Sequence, residues 1–255
     1  MDAWRSAITD TGDGVIRIRG YEISELLHRA DFTEVIFLLH QARLPTETEK
    51  RLLNAILVAS SDHGPISPST AAARIVASGN RQSFEAAVGA GILAIGDAHG
   101  GAGQACMEMI DAGLRLAEEE SLSFEEAANR VVARATAEGR RIPGLGHRFH
   151  KIDPRVDTIF DIARSNGLAG DGINFFLALQ HAASEQIRDL PINVDGALAA
   201  ALYDMGFSPA LGKALFILGR VAGLTAHVHE ELVREKPMRF RPPVVYDGPP
   251  VRRVE

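Results

Sequence analysis

The sequence predicts an all-α protein with little β structure. Asp31, Thr46 and Ser123 each precede a glutamate by three residues, which is the capping-box spacing that satisfies free backbone donors at a helix start. Asp153-Pro154 and Ser208-Pro209 each place a capping residue before a proline, which is tolerated in the first helical turn. Apolar runs follow these starts, so we expect helices along most of the chain.

The two ends of the chain depart from this helical pattern. Gly14–Gly20 alternates apolar and charged residues between glycines, which predicts a short strand or one arm of a hairpin. Lys236–Glu255 is rich in proline, valine and arginine and lacks helical periodicity. We therefore expect an extended arm there, lying on another surface.

Composition limits the classes of function. A chain of 255 residues with 46% hydrophobic content is long enough to bury its own core, and a net charge of −6 argues against general nucleic-acid binding. Cys106 is the single cysteine, and Met1–Arg5 has no apolar signal core, so we expect a cytoplasmic protein. The most apolar stretch, Pro209–Val228, contains Lys213 and Arg220, and we expect no membrane segment.

Gly96–Gly103 is a loop of small residues with His99 at its mouth. Glycines let backbone approach a ligand closely, and a helix predicted from Gln104 would offer free N–H groups to an anion. A turn with an incidental histidine is the alternative.

Gly144–Arg155 concentrates five basic or imidazole side chains within nine residues of an acidic protein. Arginine forks bind carboxylates or phosphates in a bidentate manner, and histidines can stabilise an oxygen that gains charge. The alternative is a solvated basic turn in which Asp153 only caps a helix.

Asp195 interrupts an apolar, small-residue stretch, Leu190–Ala199, at a predicted helix start. Burial there would raise the pKa of Asp195 and make the carboxylate a better general base for a carbon acid. The alternative is an ordinary helix N-cap.

Arg220 lies in a mostly apolar helical run, so it needs a partner or a route to water. A bound carboxylate, a structural acid or a snorkelling side chain would each serve. His227 and His229 resemble a loose metal motif, but residues two apart do not share a helix face, and we predict no metal site.

Three segments, in this order along the chain, resemble the citrate synthase family. Gly96–Gly103 resembles its His-Gly-Gly-Ala loop, Gly144–Arg155 its Gly-x-Gly-His-Arg…Asp-Pro-Arg segment, and Asn193–Asp195 its Asn-Val-Asp motif. Further similar segments span nearly the whole chain: Arg19–Ile23, Asp62–Gly64, Gly219–Gly223, Ala226-His227, Arg241-Pro242 and Tyr246–Gly248.

The resemblance implies catalytic roles for three residues. Asp195 would remove the acetyl methyl proton, His99 would donate to the thioester oxygen of the resulting enol, and His147 would polarise the 2-oxo carbonyl. The coenzyme A thioester would be the substrate, with no further cofactor and no metal.

The same resemblance implies two sets of binding residues. The carboxylates of oxaloacetate or of the citryl group would be held by His63, Arg155, Arg220 and Arg241. Arg241 would come from a neighbouring subunit of a homodimer, or of a multiple of one. Coenzyme A would be bound by Gly144, Gly146, Arg148 and Lys151.

The family's architecture implies two helical domains with the active-site cleft between them. The large domain would comprise residues 1–103 plus 216–255. The small domain would comprise residues 104–215 and carry His147 and Asp195.

Departures from the family bear on the reaction. The chain is shorter than a full citrate synthase, Pro243 replaces the second arginine of the family's Arg-Pro-Arg, and Gly196 stands where citrate synthases usually carry an aromatic residue. A glycine directly after Asn193–Asp195 instead resembles the sequence of stand-alone citryl-CoA lyases and of the lyase module of ATP-citrate lyase. That module, however, lacks the histidine found here as His99.

These features predict a citryl-CoA lyase-like enzyme that cleaves citryl-CoA to acetyl-CoA and oxaloacetate. The near alternative is a citrate synthase or 2-methylcitrate synthase, which differs by hydrolysing the thioester. A non-catalytic acyl-CoA-binding subunit is the alternative from another class.

Overall fold

The computed structural model of the chain describes residues 3–146 and 153–253, so the predicted site residues His147, Arg148 and Lys151 lie outside the described residues. The described residues form mostly helices, which confirms the all-α prediction. The helices are α1 (Ile23–Arg29), α2 (Phe32–Gln41), α3 (Glu47–Ser61), α4 (Pro68–Gly79), α5 (Phe84–Leu93), α6 (Ala102–Glu119), α7 (Phe124–Ala137), α8 (Pro154–Ser165), α9 (Asp171–Gln186), α10 (Val194–Asp204) and α11 (Pro209–Arg234).

A small antiparallel sheet precedes the helices. Its strands β1 (Thr9–Gly12), β2 (Val15–Ile18) and β3 (Tyr21–Glu22) lie in chain order, with Gly12 opposite Val15 and Ile18 opposite Tyr21. The strand predicted within Gly14–Gly20 is therefore confirmed as a hairpin arm. Arg19 attaches the sheet to α2, because its Nε and Nη2 donate to the Leu39 carbonyl at 3.2 and 2.8 Å.

The helix starts follow the predicted capping chemistry. Complete capping boxes occur at Asp31, Thr46 and Ser123, where each side chain accepts from the third helical N–H and the glutamate there returns a bond. Asp153 accepts from the Arg155 amide at 3.1 Å, and Pro154 occupies the first turn of α8. Local sequence therefore accounts for where these four helices begin.

The described chain divides into two compact units. Unit 1 comprises Met1–His63 and Ile95–Gly223, and unit 2 comprises Gly64–Ala94 and Leu224–Glu255. The division falls within α11. These bounds differ from the two domains implied by the family's architecture, and that domain assignment stays a prediction.

The core of unit 1 surrounds α10. This helix is apolar on every side, and its residues from Gly196 to Leu202 are all buried, which is the pattern of a central helix. The edge of the Phe37 ring packs on Phe207, with centroids 5.4 Å apart. Further core residues come from α3, α6 and α9: Leu52, Leu53, Ile56, Met107, Ile110, Ile173, Phe175, Phe176 and Leu179.

Unit 2 has a small core of short side chains. Ala73 and Ala77 of α4 and Ala87 of α5 pack with Leu224 and Val228 of α11. A side chain at Gly91 of α5 would lie 2.8 Å from Leu224, so the glycine permits close packing of these helices.

The start of the C-terminal arm is attached to unit 2 by charged groups. Glu231 is fully buried, and its carboxylate accepts from Arg239 at 2.7 and 2.6 Å and from Arg74 at 2.9 Å. The Met238 amide also donates to the Ser78 carbonyl at 3.0 Å. Residues 240–253 contain no helix and are exposed, which agrees with the prediction that this segment is not helical. The expectation that the arm lies on another surface stays a prediction.

Among the described residues, α11 is the helix long and apolar enough to cross a membrane by length and composition. In its most apolar window 44% of residues are buried inside the protein. The helix also carries two buried charged residues, Arg220 and Glu231, which contact protein groups. A core helix has the same composition.

Replacement of two helical glycines by alanine should change the free energy of unfolding in opposite directions. A Cβ at Gly113 of α6 would overlap the Phe175 ring, whereas a Cβ at Gly89 of α5 meets no atom within 4 Å. We expect Gly113→Ala to lower the free energy of unfolding by about 1–3 kcal/mol through overpacking. Gly89→Ala is its matched control and should raise that free energy by about 0.5–1 kcal/mol. Denaturant titration of both variants measures this, and equal effects would contradict the packing described for Gly113.

Candidate active site

Asp195 lies in the first turn of α10. Asn193 is the N-cap of this helix, because its Oδ1 accepts from the Gly196 amide at 3.1 Å. The alternative that Asp195 is an ordinary N-cap is therefore wrong. Asp195 keeps part of its surface open to solvent, as a base that meets a substrate requires.

The surroundings of Asp195 change the pKa of its carboxyl group. Burial raises the pKa of Asp195 to about 6, the positive charges of Arg155 and Arg220 oppose this rise, and Asp153 adds to it. A carboxyl group with this pKa is mostly ionised at pH 7 and is a stronger base than an exposed aspartate. The expectation that burial raises the pKa of Asp195 is confirmed.

The segment Gly144–Gly146 lies directly against the start of α10. The Gly146 amide donates to the Pro191 carbonyl at 2.7 Å, and the Asn193 amide donates to the Gly144 carbonyl at 3.0 Å. Gly144 and Gly146 have φ values of +82° and +85°, which favour glycine at both positions. This segment leads into residue 147, so its bonds set where the chain approaches Asp195.

Cys106 of α6 is packed beneath the same segment. Its Sγ would lie 2.9 Å from a Cβ at Gly144, and the residue is fully buried. Burial, and secondarily the charge of Asp195, raises the pKa of the Cys106 thiol well above its usual range. A thiol held neutral in this way is a packing group and not a nucleophile.

The carboxyl end of α3 binds two of the predicted arginines. Arg155 donates through Nη1 to the Ala59 carbonyl at 3.2 Å, and Arg220 donates through Nε to the Ser60 carbonyl at 2.9 Å. The last carbonyls of a helix have no partner within it and carry partial negative charge. This helix end therefore brings two guanidinium groups of unit 1 together.

Arg155 is oriented by its neighbour Asp153. Its Nε and Nη2 donate to the two carboxylate oxygens of Asp153 at 2.9 and 2.7 Å, and Asp153 is buried. Each terminal nitrogen of a guanidinium carries a second N–H, so the group retains the chemical capacity to bind a substrate carboxylate. Asp153 thus both caps α8 and orients Arg155.

Arg220 is held in the interior of unit 1 with 1% of its surface exposed. Burial lowers the pKa of Arg220, and the negative charge of Asp62 opposes this. Its guanidinium carbon lies 4.9 Å from the centroid of the Phe216 ring. The flanking Gly219 and Gly223 face backbone or side chains of Leu57–Asp62, where a Cβ would overlap them. These glycines permit the close packing of α11 on the end of α3.

The loop that carries His99 is closed by its own backbone. The amides of His99 and Gly101 donate to the Gly96 carbonyl at 2.8 and 3.1 Å, and the Gly96 amide returns a bond to the His99 carbonyl at 3.0 Å. Gly100 has a φ of +68° and lies on the Phe216 ring. The His99 ring meets the edge of Phe216, with centroids 6.4 Å apart. The loop is thus an ordered turn seated on α11.

Two residues that organise this region were not predicted as site residues. Phe216 contacts both His99 and Arg220, and its position four residues before Arg220 on one helix face was the available signal. Asn193 joins α10 to the Gly144 segment, and its signal was a capping residue type three positions before Gly196. Sequence spacing alone does not reveal the loops that these residues contact.

The remaining predicted residues lie in different places. His63 directly follows Asp62, the C-cap of α3, and is exposed in unit 1. Arg241 lies in the arm of unit 2 and is exposed. His147, Arg148 and Lys151 are outside the described residues. The roles implied for all of these residues stay predictions.

Potential metal ligands do not cluster in the part of the chain that the structure describes. No group of three or more His, Cys, Asp or Glu residues within it is arranged to hold a metal ion. In unit 2, the Nδ1 of His227 lies 3.4 Å from Arg74 Nη1 and 3.9 Å from Glu230 Oε2.

A cavity of about 250 Å³ lies beside the start of α8 in unit 1. Apolar side chains such as Phe160 and Ile192 line it together with four polar or charged ones: Asp153, Asp157, Arg164 and Gln180.

Known proteins share sequence and fold with this chain. The sequence pattern of the family described as citrate synthase, C-terminal domain, matches residues 1–52 and 46–242. The chain is 29% identical over 238 residues to the citrate synthase of Heyndrickxia coagulans, covering 91% of this chain and 59% of that protein. It spans between a half and three fifths of the length of three curated relatives, two citrate synthases and a citrate/2-methylcitrate synthase.

Solved structures show the same fold. The citryl-CoA lyase from Hydrogenobacter thermophilus matches with a TM-score of 0.90 and 40% identity, covering 100% of this chain and 98% of that one. The ATP citrate lyase from Methanothrix soehngenii, in complex with citrate and coenzyme A, matches with a TM-score of 0.82 and 25% identity, covering 98% of this chain and 42% of that one. With the family pattern matched over most of its length, this chain belongs to the citrate synthase family.

Proposed function

We propose that this chain is a citryl-CoA lyase that cleaves citryl-CoA to acetyl-CoA and oxaloacetate by a retro-aldol reaction. The observation that carries the proposal is the carboxyl group of Asp195, with a pKa of about 6, in a buried helix start electrostatically coupled to Arg155 and Arg220. Asp195 would transfer the proton to or from the substrate carbon. The guanidinium groups of Arg155 and Arg220 would bind the carboxylates of the citryl moiety.

In the cleavage direction two residues of this chain would transfer protons: His147 would accept one and Asp195 would donate one. The citryl hydroxyl would lose its proton as the carbon–carbon bond breaks, giving the ketone of oxaloacetate and the enolate of acetyl-CoA. Protonated Asp195 would then give its proton to the enolate carbon. A pKa near 6 leaves roughly 10% of the carboxyl groups protonated at pH 7, so the same group can serve either direction.

The other predicted residues would complete the reaction. His99 would donate to the thioester oxygen while the enolate exists, and its seat on Phe216 would fix the ring before charge develops. His147 would accept the hydroxyl proton. Gly144, Gly146, Arg148 and Lys151 would bind coenzyme A, and the matched ATP citrate lyase structure contains citrate and coenzyme A.

The direction of the reaction is supported by sequence identity. The chain is 40% identical to the citryl-CoA lyase from Hydrogenobacter thermophilus and 29% identical to the Heyndrickxia coagulans citrate synthase. Citrate synthase or 2-methylcitrate synthase activity is the second candidate, favoured by the curated relatives with those names. A non-catalytic acyl-CoA-binding subunit would retain binding without turnover.

We further propose a cytoplasmic homodimer, or a multiple of one, that exchanges its C-terminal arms. The Glu231–Arg239 ion pair holds the arm where it leaves α11, and beyond it Val244, Val245 and Tyr246 are 76–88% exposed. Apolar residues in an extended arm gain stability by lying on another surface. Arg241 would then complete the carboxylate site of the partner. The cytoplasmic location rests on the single buried Cys106, which has no partner cysteine in the chain.

Asp195→Asn tests the catalytic role. The amide keeps the shape of the side chain but cannot transfer the proton, so kcat should fall by at least ~10²-fold. Because the folded pKa of Asp195 is raised from 3.8 to about 6, ionising the buried group lowers the free energy of unfolding progressively between these two pH values, and the full loss is present above pH 6. We therefore expect Asp195→Asn to be more stable than the wild type by about 1–3 kcal/mol at pH 7.5, with the gain shrinking toward pH 5. Near-normal turnover, or a gain that grows as the pH falls, would contradict the assignment.

Product analysis separates lyase from synthase. Incubated with citryl-CoA, the protein should release oxaloacetate and acetyl-CoA faster than citrate and free coenzyme A, because lyase chemistry leaves the thioester intact. Chromatography of both product pairs measures the ratio, with Asp195→Asn as the control for uncatalysed breakdown. Predominant citrate with stoichiometric thiol release would establish the synthase, and binding without turnover would establish the non-catalytic subunit.

Complementation tests the exchange of arms. Arg241→Ala and Asp195→Asn should each be nearly inactive alone, yet a mixed dimer would contain one site with both changes and one with neither. Co-expressed chains carrying different affinity tags should recover up to about half of the wild-type activity per mixed dimer, if sites act independently. Demonstrated mixed dimers without recovered activity would show that Arg241 does not serve its partner.

A further inference from the structure

Two stretches of unit 1 meet in a short, strand-like contact beside the proposed base. Leu145 and Ile192 form an antiparallel bridge, flanked by the bonds from Gly146 to Pro191 and from Asn193 to Gly144. One stretch leads into residue 147, and the other leads into Asp195 at the start of α10. The two catalytic segments are therefore joined at the backbone.

The side chain of Asn193 uses both ends of its amide in this contact. Its Oδ1 accepts from the Gly196 amide at 3.1 Å, and its Nδ2 donates to the Gly146 carbonyl at 2.9 Å. Serine would supply the acceptor but is too short to donate across to the loop, and aspartate would place an acceptor against the Gly146 carbonyl. Asparagine alone among the strong N-cap residues offers an acceptor and a fixed donor.

Glycines bring the two stretches into van der Waals contact. A Cβ at Gly196 would lie 2.5 Å from the Gly144 carbonyl oxygen and 2.6 Å from the Phe176 ring. A Cβ at Gly144 would lie 2.7 Å from the Cα of Gly196. No side chain fits at either position without moving the loop away from α10, so the glycines set the separation and Asn193 holds it.

We propose that Asn193 is a positioning residue, which holds the Gly144–Gly146 segment against the start of α10 and thereby fixes the proposed coenzyme A-binding segment relative to the carboxylate of Asp195. The proposal rests on the proposed function for its catalytic consequence. The structural part of the proposal, that the Asn193 side chain holds the Gly144–Gly146 segment, rests on the hydrogen bonds alone.

Asn193→Ser separates the two bonds of the side chain. Serine caps helices about as well as asparagine, so the melting temperature should stay within about 4 °C of the wild type. Loss of the Nδ2 donor should speed hydrogen exchange of the Gly146 amide by about tenfold or more, because the bond to Pro191 opens more often. With the Gly144–Gly146 segment free to move relative to Asp195, the bound thioester would be misplaced from the base. The kcat for citryl-CoA cleavage should therefore fall by about tenfold or more, with a smaller change in KM.

Asp31→Ala is the matched control, because it removes a helix cap at α2 without touching this loop. It should lower the melting temperature while leaving kcat and exchange at Gly146 as in the wild type. Asn193→Asp is the second variant if serine does not fold: it keeps the cap, loses the donor and should also speed exchange and lower kcat.

Exchange at Gly146 and kcat together decide the proposal. Faster exchange together with lower kcat supports the proposal. Unchanged exchange in folded Asn193→Ser or Asn193→Asp overturns it, and so does faster exchange with wild-type kcat. If the wild-type protein does not act on citryl-CoA, the proposed function fails, and the exchange rates alone decide whether Asn193 holds the loop.

Discussion

The carboxyl end of α3 is the interaction on which the candidate site depends. Its carbonyls at Ala59 and Ser60 accept hydrogen bonds from Arg155 and Arg220, which lie almost a hundred residues or more further along the chain. Free carbonyls and the negative end of the helix dipole make this a favourable place for two cations that would otherwise repel each other. Asp153 also accepts a hydrogen bond from the guanidinium group of Arg155, and the ring of Phe216 packs against that of Arg220.

The pKa of Asp195 follows from this arrangement of charges. Its position in a central, apolar helix raises the pKa, while the two guanidinium groups limit the rise, and the balance lies near 6. Burial without the arginines would hold the carboxyl neutral, and arginines without burial would make it a weak base. The same burial costs folding stability at neutral pH, which is the usual relation between an active-site charge and the stability of the fold.

Close backbone approach recurs wherever the site residues are brought together. Gly219 and Gly223 let α11 lie against the end of α3, Gly100 seats the His99 loop on Phe216, and Gly196 admits the Gly144 carbonyl. At each place a Cβ would overlap the opposing segment. The glycine at 196 thus has a packing consequence: any side chain there would require a different path for the Gly144–Gly146 segment.

Local sequence patterns predict the helix starts, the strand within Gly14–Gly20, the non-helical arm and the motif residues, because capping, turn geometry and binary patterning are local properties. They also identify Asp195 as an acid in an apolar stretch. Three features become visible only in the folded chain: Asn193 and not Asp195 caps α10, Arg155 is paired with Asp153, and Phe216 contacts both His99 and Arg220. These features depend on contacts between segments far apart in the chain, and no local pattern encodes which carbonyl, ring or glycine a side chain meets once the helices pack.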